Sequence, residues 1–67
     1  MYLTLITDED LKIRINFLLV KAYYESPIDG FTYIYIDEKH YKVKESLAHI
    51  DGELAAHYNQ SAVNLEY

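Results

Sequence analysis

Residues 7–25, TDEDLKIRINFLLVKAYYE, carry ten apolar or tyrosyl side chains without one glycine or proline. Whatever this segment becomes, the rest of a 67-residue chain can bury it against little more than one further layer. Two readings compete. As a helix, Leu11, Ile15, Leu18, Leu19 and Ala22 gather on one stripe, and Ile13, Phe17, Val20 and Tyr24 on a second, roughly opposite stripe. Thr7 would cap it, and Asp8, Glu9 and Asp10 would place negative charge beside the free N–H groups of the first turn. Ser26 and Pro27 would end it, since proline disfavours a helical residue before it. As a strand, Leu11, Ile13, Ile15 and Phe17 alternate with Lys12, Arg14 and Asn16, a period of two that fails at Leu18, Leu19 and Val20. Length, the acidic start and the proline stop favour the helix.

The helix reading carries a consequence for assembly. Two opposed apolar stripes need cover on two sides, so Ile13, Phe17, Val20 and Tyr24 are candidates for self-association, unless the C-terminal segment folds over them.

Around this segment the pattern is easier to parse. Residues 2–6 alternate as a short strand, and Asp29-Gly30 supplies turn chemistry after Pro27. Residues 31–37, FTYIYID, are aromatic and β-branched with strict alternation, the clearest strand in the chain. A two-residue turn at Glu38 and Lys39 would return the chain as a strand over residues 41–44. Ile36 would then face Tyr41 and Ile34 would face Val43 on the apolar side. Tyr35 would face Lys42 and Tyr33 would face Lys44 on the other, flanked by Phe31 and His40. From Glu45 the period changes: Leu47, Ile50, Leu54 and Tyr58 mark an amphipathic helix with Ser46 as cap, Gly52 as a weak point and an end near Asn59, Gln60 and Ser61. Residues 62–67 read as an irregular tail or a last short strand.

These elements predict one α+β domain over residues 1–67, a small two-layer fold of order β-α-β-β-α with a three-stranded sheet. The first strand, helix and second strand could form a right-handed parallel crossover. The alternative, if residues 11–24 are extended, is an antiparallel β-meander with one C-terminal helix.

Composition narrows the function. There is no cysteine, hence neither disulfide nor thiolate metal site. No apolar run reaches membrane-spanning length, and the start lacks a signal-peptide pattern, so a cytoplasmic protein without membrane contact is expected. No phosphate loop, nucleophile elbow or other catalytic motif is present, and neither enzymatic activity nor a cofactor is expected. His49, Glu53 and His57 share one helical face, but the outer pair lies about 12 Å apart along a straight helix, too far to hold one ion. The pattern reads as an ordinary helical His–Glu pair rather than a metal site.

Two features point to binding. Eleven acids oppose six bases for a net charge of −5, which disfavours nucleic acid and suits a basic protein partner. Eight tyrosines supply large contact area with few rotatable bonds. Asp8, Glu9, Asp10, Asp29, Asp37 and Glu38, with Tyr33 and Tyr35, are therefore the candidate partner-binding residues. If the acids share one surface, they could imitate nucleic-acid phosphates and occupy a basic groove, as acidic anti-restriction and anti-CRISPR inhibitors do. The alternative is a single-stranded nucleic-acid platform, with bases stacked on Tyr33 and Tyr35 and phosphates held by Lys42 and Lys44. The missing basic footprint counts against direct nucleic-acid binding.

Overall fold

The first reversal of the chain comes at the acids. Thr7 N–H donates to Leu11 O at 2.8 Å and Asp10 N–H to Thr7 O at 3.0 Å, while Thr7 Oγ1 accepts from Leu11 N–H at 3.1 Å. Asp10 adopts φ 65°, a left-handed conformation that aspartate tolerates better than most residues. The three acids thus form a hairpin turn, not the first turn of a helix. In the computed structural model, residues 1–65 are described, with side chains described for residues 1–58.

Strand β1 (Tyr2–Ile6) pairs antiparallel with β2 (Lys12–Asn16), setting Leu3 opposite Ile15 and Leu5 opposite Ile13. This replaces the predicted helix over residues 7–25. Cross-strand pairing and burial of alternating β-branched side chains outweigh local helix signals. The break in alternation at Leu18 and Leu19 is real. Residues Phe17–Leu19 form one 3₁₀ turn, held by Asn16, whose side chain accepts from Leu18 N–H at 3.1 Å. The chain then enters β3 (Ala22–Glu25), which pairs antiparallel with β4 (Thr32–Ile36), and β4 pairs with β5 (Lys39–Val43). A C-terminal helix, α1 (Leu47–Leu65), completes the order.

The protein is therefore a small α+β fold: a two-stranded and a three-stranded antiparallel sheet with one C-terminal helix. Antiparallel strands before one C-terminal helix agree with the alternative only in outline, because Phe17–Leu19 turn as a 3₁₀ helix and the strands divide between two sheets; the predicted parallel crossover does not form. The β4–β5 hairpin is present with its register displaced by two residues. Asp37 and Glu38 make the turn, Asp37 at φ 51°, and the pairs are Ile34 with Tyr41, Tyr33 with Lys42 and Tyr35 with His40. An even displacement keeps every side chain on its predicted face.

Leu3, Leu5, Ile15, Phe17, Ile34, Val43 and Ile50 form the buried core, with Ile13, Val20, Tyr23, Ile36, Tyr41 and Leu54 packed against it. The two sheets are joined where β1 runs past β5. Lys44 N–H donates to Ile6 O at 2.8 Å and Asp8 N–H to Lys42 O at 3.0 Å. The Glu45 carboxylate accepts from Ile6 N–H at 3.0 and 3.1 Å, and the Glu45 carbonyl accepts from the fully buried Thr32 hydroxyl at 2.7 Å. Ser46 caps α1 as expected, its Oγ accepting from His49 N–H at 3.1 Å. The helix passes through Gly52 and beyond residues 59–61, where an end was expected, to Leu65. The tail expected over residues 62–67 overlaps that helix, and its last two residues lie outside those described. Among the described residues, no helix is long and apolar enough to cross a membrane.

Candidate functional site

Antiparallel pairing puts alternate residues of β3, β4 and β5 on the sheet face turned away from the core. Tyr24 comes from β3, Tyr33 and Tyr35 from β4, and His40 and Lys42 from β5. Their rings form a closed circuit. Tyr24 stacks on Tyr33 with centroids 5.5 Å apart and planes 12° from parallel, and on Tyr35 at 5.9 Å and 10°. His40 closes the quartet, 6.0 Å from Tyr33 and 5.6 Å from Tyr35. Tyr24 and Tyr35 also join through their hydroxyls at 3.4 Å.

One side of the quartet is fastened by the β3–β4 loop. Asp29 accepts from Phe31 N–H at 3.0 Å and from the Tyr33 hydroxyl at 2.7 Å, and pairs with Lys42 Nζ at 3.3 Å. The Lys42 ammonium lies 4.9 Å from the centre of the Phe31 ring and 5.7 Å from that of Tyr33. The Tyr33 hydrogen bond, followed by that from Phe31, holds the Asp29 carboxyl down at about 2 from its ordinary 3.8. The same contact raises the Tyr33 phenol, and the carboxylate raises the Lys42 ammonium. The hydrogen bond to Tyr35 raises the Tyr24 phenol. These phenols therefore stay protonated at neutral pH, able to donate and to accept.

This arrangement differs from a base-stacking platform. Stacking of bases needs ring faces free in solution, whereas these faces are largely turned toward one another.

The candidate acids do not assemble into one row. Asp8, Glu9 and Asp10 occupy the β1–β2 turn and Asp29 the β3–β4 loop, near the end of β5 that carries Lys42 and leads into Lys44. Asp37 and Glu38 form the turn at the opposite end of the β4–β5 hairpin. Three acids are matched by lysines: Asp10 by Lys44, Asp29 by Lys42 and Asp37 by Lys21. The four proposed self-association residues do not share a face either. Phe17 is buried, Ile13 and Val20 pack on the core, and Tyr24 belongs to the aromatic quartet. His49 and Glu53 form an i,i+4 pair at 3.8 Å, and among the described residues no three acidic or histidine side chains converge as metal ligands.

Tyr33 and Tyr35 thus lie where the alternation of β4 put them, while Tyr24 was missed as their neighbour. Its signal was the tyrosine pair in the AYYE run, a composition favoured in strands. Compared with known protein families, with curated proteins and with solved structures, the chain matches none.

Proposed function

We propose that this protein is a small, non-enzymatic binding module that holds another protein on the outer face of its three-stranded sheet. The closed quartet of Tyr24, Tyr33, Tyr35 and His40 carries this reading. Preassembled aromatic side chains lose little conformational freedom on binding, and such residues dominate interface energetics. The net charge of −5 favours a basic partner, with Asp8, Glu9 and Glu38 supplying carboxylates to which no lysine is paired among the described residues. In its most specific form, the module is a cytoplasmic inhibitor that occupies the basic surface of a nucleic-acid-handling protein. The aromatic face then supplies affinity, and the acids supply orientation and on-rate rather than a phosphate-like row.

The test is capture from host lysate on the immobilised full chain, with and without nuclease, eluted by a salt gradient. Parallel columns carry the Tyr24→Ser and Tyr35→Ser double variant. A basic protein that survives nuclease and is lost on the double variant supports the reading. Binding of oligothymidine to the purified chain, lost in the same variant, would replace it with the single-stranded nucleic-acid alternative. A captured protein indifferent to the double variant would move the site off this face.

A further inference from the structure

A second surface begins at β3, whose Ala22 lines it and pairs with Tyr35 of the aromatic quartet. The 3₁₀ turn, β3 and α1 enclose an open apolar groove of about 680 Å³, walled by Met1, Phe17, Val20, Tyr23, Leu54 and Tyr58. Its floor is rigid. Phe17 and Tyr23 meet edge to face at 5.8 Å, and the Tyr23 hydroxyl donates to Asp51 of α1 at 2.5 Å. The charged residue of the wall, Lys21, is paired with Asp37 at 3.5 Å.

Beside the groove stands an unfilled protrusion. The 3₁₀ turn directs Phe17 into the core and leaves Leu18 at 74% and Leu19 at 59% exposure. Phe17 and Val20, which bracket these leucines in sequence, are also wall residues, so protrusion and depression share one edge. Tyr58 is 72% exposed on the far wall and Met1 39%. Together Met1, Leu18, Leu19 and Tyr58 expose on the order of 500 Å², counting the polar atoms of each residue, around the shared edge of the groove. That is more than half of the ~800 Å² each partner gives to a standard interface.

We infer that this face binds a second copy of the same chain. A two-fold contact seats Leu18 and Leu19 of each copy in the groove of the other, burying both protrusions and both grooves at once. A knob and a hole on one edge are self-complementary, whereas an unrelated partner would have to supply both shapes. The inference does not depend on the aromatic-face reading.

Sedimentation equilibrium of the full chain, from low micromolar to near-millimolar concentration, decides it. The expected result is a reversible monomer–dimer equilibrium. Leu18→Asp on the protrusion and Ala55→Glu, at the helix residue that lines the groove beside Leu54 and Tyr58, each weaken it at least about tenfold, while Tyr24→Ser leaves it unchanged. Circular dichroism establishes that each variant is folded, and either of the first two suffices if the other is not. A single monomer mass at every concentration overturns the inference. So does a dimer that persists in the folded variants of the groove edge, or one that Tyr24→Ser abolishes.

Discussion

Asp29 shows how one side chain can order a surface. It joins a loop amide, a phenol and an ammonium, and those hydrogen bonds keep its carboxyl ionised down to about pH 2. The direction of the linkage follows from the lowered value. The stabilisation is fully present above the ordinary carboxyl value of 3.8 and is lost as pH falls through about 2. Acid titration of the wild type, monitored by tyrosine fluorescence, should show a transition in that window that Asp29→Asn removes. Thr32 has the corresponding task inside. Its fully buried hydroxyl donates to the Glu45 carbonyl at 2.7 Å, and Thr32→Val should cost about 1–3 kcal/mol in urea denaturation by leaving that carbonyl without its partner. Neither role is visible in sequence, because Asp29 reads as turn chemistry and Thr32 as a strand residue until the partners two to thirteen positions away are placed.

At the scale of elements, α1 carries a removable weakness. Gly52 lies inside the helix, and a β-carbon built there meets nothing within 4 Å. Gly52→Ala should therefore stabilise the protein by about 0.5–1 kcal/mol, read as a raised Tm. Gly30 responds in the opposite sense: its surroundings are equally open, but its φ of +77° strains any residue with a β-carbon. Gly30→Ala should lower stability by about 1 kcal/mol. The helix, its Ser46 cap and the two faces of β4 were legible because period, cap and burial agree there. Residues 7–25 misled because their local signals conflict with their partners. Acids before an apolar run suit a helix start, yet Asp10 can turn left-handed and Ile13 and Ile15 have Leu5 and Leu3 waiting opposite. The aromatic site was half legible for the same reason: β4 contributed Tyr33 and Tyr35, while Tyr24 stayed hidden in the misread segment.

Across the molecule, seven buried apolar side chains form the core among the described residues, so little redundancy exists there. Ile34, fully buried on the central strand of the larger sheet, is the sharpest probe. Ile34→Ala should cost about 2–5 kcal/mol, a large part of a small domain's stability, and melt the fold near ambient temperature by circular dichroism. Surface exchanges such as Lys21→Ala should barely register, since its partner Asp37 is largely solvated. The clasp between Ile6 and Glu45 spans 39 positions of sequence. A nascent chain emerging from the ribosome displays the free edge of β1 throughout that interval. The acids of the β1–β2 turn, at the end of that edge, then act as gatekeepers, discouraging two unfinished chains from zipping together before the clasp arrives.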